Sequence, residues 1–84
     1  MSKLEILKKK ILYRSSYRGT KEMDILLSSF SKKYINLFDS KDLLELDSFL
    51  NLEDELIYQI YKDKKIGEEI KEVKIAKLLI EFKI

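Results

Sequence analysis

The chain has 84 residues, with 17 Lys and Arg against 15 Asp and Glu, so its net charge is only +2. A chain this short has room for one small core and a thin margin of stability. It contains no Cys, no His, no Pro and only two Gly, which excludes disulfide scaffolds, thiolate or imidazole metal sites, and any mechanism built on a His base or a Cys nucleophile.

Few obligatory breaks and a high charged fraction point to helices joined by polar turns. The first helix is expected from about Lys3 to Ser16, with Leu4, Leu7, Ile11 and Leu12 on one stripe at helical spacing. Arg18-Gly19 interrupts it, and because Gly19 is free to adopt positive φ, a sharp turn is natural there. The second helix runs from about Thr20 to Tyr34, with Met23, Leu26, Leu27, Phe30 and Tyr34 on its apolar face. Gly19 or Thr20 is its N-cap, and Glu22 and Asp24 complement the dipole in its first turn. Asp39 caps a third helix from Ser40 to Leu50 that buries Leu43, Leu46, Phe49 and Leu50.

A fourth, short helix covers about Glu53 to Lys62, with Leu56, Ile57, Ile60 and Tyr61 apolar. Residues 62–67 read as the clearest loop. The last helix is expected from about Glu68 to Phe82, with Ile70, Val73, Ala76, Leu79 and Ile80 on one face. No strand alternation is sustained and no long repeat appears. The expectation is an all-α fold, a compact bundle of five short helices forming a single domain over residues 1–84. A bundle of this kind serves many unrelated functions, so the fold alone does not name one.

Charge is unevenly spread. Residues 1–35 carry nine Lys and Arg and three Asp and Glu, a balance of +6; residues 36–84 carry eight and twelve, a balance of −4. Either two solvated faces differ in sign, or the first third offers a basic surface to an acidic partner. No apolar run is long enough to cross a membrane, and no secretory signal is visible. The helical pattern starts within the first few residues, so no cleavable transit peptide is expected. With the Lys- and Ile-rich composition, this favours a bacterial cytoplasm.

Catalytic and cofactor chemistry finds no foothold. Two glycines cannot build a phosphate-cradling loop, so the chain is not expected to hold a nucleotide cofactor tightly. The carboxylate pairs Asp54/Glu55 and Glu68/Glu69 are adjacent on helices, point apart, and read as solvated surface. Tyrosines at 13, 17, 34, 58 and 61 interleave with basic residues, and only Lys8-Lys9-Lys10 makes a basic run. A small helical nucleic-acid-binding or regulatory module using the basic first third is therefore the alternative reading.

The most specific stretch is Tyr17-Arg18-Gly19-Thr20-Lys21-Glu22-Met23-Asp24, followed by Ile25-Leu26-Leu27 and Phe30. It resembles the signature of the SdhE-type FAD assembly factors, an Arg-Gly-x-x-Glu turn followed by an acidic residue and a leucine-rich helix. Tyr13-Arg14-Ser15, Asp39 with Asp42, and Glu53-Asp54-Glu55 extend the resemblance over nearly the whole chain. Tyr17 stands where the family more usually has Arg or His, and Ile60 where a Trp is expected.

The resemblance implies a five-helix bundle that is not an enzyme. It implies binding to the flavoprotein subunit of succinate dehydrogenase, or of fumarate reductase, and promotion of covalent FAD attachment there. A monomer forming a one-to-one complex is expected, with no nucleic acid, no membrane insertion, no metal and no FAD held by this chain itself. Arg18, Gly19 and Glu22 are expected to carry partner binding, Arg18 and Glu22 projecting from one corner. Arg14, Tyr17, Lys21 and Asp24 are expected to form the rim.

Overall fold

The computed structural model describes residues 2–84. Five helices follow one another: α1 Lys3–Ser16, α2 Lys21–Tyr34, α3 Ser40–Phe49, α4 Asp54–Asp63 and α5 Val73–Glu81. The described residues contain no strand, and the all-α class with five helices agrees with the sequence expectation.

Three helices start where a local side chain satisfies the first free amides. Ser2 Oγ accepts from the Glu5 N–H, Thr20 Oγ1 from Met23 and Asp39 Oδ1 from Asp42. Each is an N-cap that replaces a hydrogen bond the helix cannot supply internally. Thr20, rather than Gly19, takes this role for α2.

All five helices feed one buried cluster, which includes Ile11 from α1, Leu27 and Phe30 from α2, Leu46 from α3, Ile57 from α4 and Leu79 from α5. A fully buried side chain of this size contributes roughly 1.5–3 kcal/mol. Ile60, where a Trp was expected, packs into the cluster almost completely buried. Ser15 and Ser31 are also fully buried, with Oγ atoms 2.6 Å apart, and Ser15 Oγ donates to the Ile11 carbonyl. Small hydroxyls at the α1–α2 contact let the helices approach while leaving no polar atom unpaired.

The last helix departs from expectation. It begins at Val73, not Glu68, and residues 68–72 form an irregular turn in which Ile70 is nonetheless buried. The cause is tertiary. Glu45 of α3 accepts the Ile75 N–H at 3.3 Å, so α3 caps α5. Glu72, nearly buried, accepts the Ser48 hydroxyl at 2.5 Å. Lys74 bridges to Asp42 at 2.9 Å, and that hydrogen bond holds the Asp42 carboxyl below its usual pKa. These contacts set the register, turning Ile75 fully inward and leaving Val73 40% exposed where burial was expected.

α4 ends on Lys64 in the left-handed region (φ 56°, ψ 37°), its N–H bonded to the Ile60 carbonyl. A side chain with a Cβ is disfavoured there by roughly 1–2 kcal/mol, and glycine is the usual occupant of such a helix end. Lys64→Gly should therefore raise stability by about 1 kcal/mol, after allowing for glycine's greater freedom in the unfolded chain. Urea denaturation of both proteins measures the difference.

Candidate functional site

α1 closes at Tyr17 (φ −120°, ψ 66°), and Arg18 and Gly19 carry the chain to the Thr20 cap of α2. The Arg18 N–H donates to Asp24 Oδ1 at 2.5 Å. Its guanidinium turns inward. Nε donates to Asp54 Oδ1 at 2.8 Å, and Nη2 lies 2.6 Å from the same oxygen. Nη1 donates to the carbonyls of Arg14 and Leu50, both at 3.2 Å, and Nη2 to that of Leu52 at 3.4 Å. Only 11% of the Arg18 side chain is exposed. The expected projection of Arg18 toward a partner is therefore corrected. Its rigid fork of donors matches a carboxylate and three carbonyls within the molecule, and spends its hydrogen bonds there.

Asp54, in the first turn of α4, takes both sides of this turn. While Oδ1 holds Arg18, Oδ2 accepts the Gly19 N–H at 2.9 Å. A Cβ at position 19 would stand 3.2 Å from Oδ2. Glycine is suited to this place by the close approach of that carboxylate. No described glycine has positive φ, so the turn at Gly19 is made without the left-handed conformation open to it. The reading of Asp54 as a solvated member of a surface pair is corrected likewise.

Arg14 is also engaged. Nη1 lies 2.6 Å from Asp47 Oδ1 and 3.1 Å from the Asp47 carbonyl, and Nη2 donates to Asn51 Oδ1. Asp24 holds the Arg18 amide. Arg14 and Asp24, both half-buried, thus help to hold the frame of the corner.

Tyr17, Lys21 and Glu22 face outward. Tyr17 is 72% exposed, and its ring centre lies 4.5 Å from that of exposed Tyr13. Glu22, in the first turn of α2, has no hydrogen-bond or ion-pair partner among the described side chains. Beside it lies a groove of about 290 Å³, lined by Thr20, Glu22 and Met23 of the α2 entry and Asp54, Glu55 and Tyr58 of α4. Sequence reasoning missed the α4 contribution. Spacing does place Glu55 and Tyr58 on neighbouring positions of one helix face. Nothing local shows that this face meets the start of α2.

Among the described residues, no group of three or more acidic side chains is arranged to hold a metal ion. No helix among them is long and apolar enough to cross a membrane.

The profile of a protein family described as flavinator of succinate dehydrogenase matches residues 9–83. The chain is 38% identical over 82 residues to succinate dehydrogenase assembly factor 2, mitochondrial, of Scheffersomyces stipitis, covering 93% of this chain and 55% of that protein. It is 34% identical over 82 residues to the protein of the same name from Debaryomyces hansenii, covering 93% and 58%. The Saccharomyces cerevisiae protein is 35% identical over 77 residues, covering 87% and 48%. The chain spans about half the length of these curated relatives. No solved structure matches. All three relatives are named as mitochondrial, which overturns the expectation of a bacterial cytoplasm.

The corner's geometry makes a prediction of its own. Asp54→Ala leaves a mostly buried guanidinium without its counter-charge and should cost about 2–3 kcal/mol, below the range for a fully buried pair because Asp54 keeps some solvent contact. Urea denaturation reads the loss. Amide exchange should quicken at Arg18 and Gly19 while α5 keeps its protection.

Proposed function

The chain belongs to the succinate dehydrogenase flavinator family, and on that premise we propose that it binds the flavoprotein subunit and promotes covalent attachment of FAD. One observation carries the assignment of the docking face: Glu22 stands outward and unpaired on a turn whose neighbours are fixed from within. The Arg18 amide is held by Asp24 and the Gly19 amide by Asp54, so the first turn of α2 is ordered before any partner arrives.

In this reading Glu22 enters the dicarboxylate site of the flavoprotein and pairs with an arginine there, standing in for a substrate carboxylate. A carboxylate and a guanidinium form a charge-assisted, directional pair, which favours one docking geometry. Tyr17 and Lys21 flank that contact. Arg18 acts one step back: it positions the turn and does not itself reach the partner. Gly19 keeps the turn close to α4.

The chain has no His to serve as a base, no Cys to serve as a nucleophile and too few glycines for a nucleotide cradle. We therefore assign it the work of an assembly factor, one copy per flavoprotein, while the flavoprotein holds FAD and supplies the residue that is modified. Holding flavin and acceptor side chain in reactive geometry converts an improbable encounter into an oriented one, which can supply several kcal/mol of a barrier.

The test is a reconstitution of apo-flavoprotein with FAD, reading covalent flavin by its fluorescence in the denatured protein. Glu22→Gln should keep the wild-type thermal midpoint and lower the stimulated rate by tenfold or more, about 1.4 kcal/mol. Stimulation at the wild-type rate would remove Glu22 from the mechanism. Arg18→Ala should lower both stability and rate, because it dismantles the turn.

A further inference from the structure

We propose that the groove between the first turn of α2 and the first turns of α4 receives one arginine side chain of the partner polypeptide, stacked on Tyr58 and bonded by Glu22 and Glu55. This rests on the reading of this corner as the docking face, and it adds α4 residues outside the Arg-Gly-x-x-Glu turn as determinants of what that face accepts.

The charge balance selects a cation. Of the three carboxylates lining the groove, Asp54 is spent on Arg18 and Gly19. Glu22 and Glu55 have no ion-pair partner among the described side chains, so two carboxylates without a cation line one opening. Dipole complementation at the two helix starts accounts for acidic residues there. It does not account for the open groove between them, nor for an aromatic ring in its wall.

The walls select the kind of cation. They are mainly apolar, with Met23 nearly buried behind them and Tyr58 43% exposed. A metal ion would need converging oxygen ligands, and no acidic cluster among the described residues offers them. An ammonium is a compact and strongly hydrated charge that gives up water reluctantly. A guanidinium is planar, weakly hydrated, stacks on aromatic faces and forks to carboxylates. Size agrees: about 290 Å³ lies at the small end of the roughly 300–1,000 Å³ typical of small-molecule sites, enough for one long side chain and too little for a dinucleotide.

Two measurements on the full chain decide the matter. In the first, N-acetyl-arginine methylamide is titrated into ¹⁵N-labelled protein at constant ionic strength, with the lysine and norleucine analogues as controls. Amide shifts should concentrate at residues 20–23 and 54–58 and follow a binding isotherm. The lysine analogue should bind several-fold more weakly and the norleucine analogue not at all. Glu55→Gln and Tyr58→Leu should each weaken the arginine compound about fivefold to tenfold, the scale of one charge-assisted or cation–π contact. Shifts spread over the surface, or unchanged by both variants, would overturn the proposal.

In the second, calorimetry with the flavoprotein subunit should show the same two variants binding about fivefold to tenfold more weakly, at unchanged thermal midpoints. Wild-type affinity in both variants would also overturn it. Should the wild-type chain take the arginine compound in the groove yet fail to bind the flavoprotein, the docking assignment falls while the groove's specificity stands. Should it bind and stimulate flavinylation normally with the groove silent to arginine, the reverse holds.

Discussion

The guanidinium of Arg18 reaches one carboxylate, that of Asp54, and three backbone carbonyls, those of Arg14, Leu50 and Leu52. Arg14 lies in the last turn of α1 and Leu50 caps α3, so two of these carbonyls are ones that helices cannot satisfy internally. One side chain therefore joins the end of α1, the end of α3 and the start of α4. An exposed ion pair would contribute little, about 0–1 kcal/mol. This one is mostly removed from water, and each of its polar atoms has a partner, so losing either member leaves a desolvated charge behind. Through Gly19, whose N–H reaches the other oxygen of Asp54, the entry to α2 is tied to the same junction, and the groove lies beside it.

A conspicuous arginine beside a conspicuous glutamate invites the inference that both meet a partner. The structure separates them. Arg18 and Asp24 look inward; Tyr17, Lys21 and Glu22 look outward. The basic first third is likewise less exposed in effect than its sum suggests. Lys10 and Arg14 share the carboxylate of Asp47, and Arg18 takes that of Asp54. A part of the +6 balance of residues 1–35 is thus answered by the acidic remainder of the chain. The charge asymmetry along the sequence partly reflects packing between the two parts rather than a bare cationic face.

What could be read in advance divides by the range of the interaction. Where a helix start is fixed by its own neighbours, as at Ser2, Thr20 and Asp39, the boundary was legible within a residue or two. The start of α5 is fixed by Glu45, thirty residues earlier, and stayed hidden, as did the inward turn of Ile75. The turn at residues 17–24 stood out as the distinctive place, from its charges and its glycine. The direction of each side chain did not, because Asp54 lies thirty-six residues beyond Arg18 and nothing local marks it as the partner. Gly19 was singled out correctly, but the turn does not use its freedom to adopt positive φ: it makes room for a carboxylate. The buried Ser15–Ser31 contact had no sequence signal, since serine reads as polar surface.

Pre-organisation joins the buried junction to the exposed carboxylate. A carboxylate on a floating loop would have to be ordered on binding, and each immobilised residue subtracts from affinity. Here the amides on the approach to Glu22 are held by Asp54 and Asp24, and Thr20 Oγ1 holds the amide after it. Most of the ordering of that turn is complete in the free protein. A helix scaffold fixes a side chain's origin more tightly than a loop does, and a contact required to align another protein's reacting groups needs that tightness. The inward residues of the turn and the outward ones therefore belong to one arrangement: Arg18 and Asp54 hold the turn that carries Glu22, and in the proposed docking Glu22 would meet the partner from a position fixed before contact.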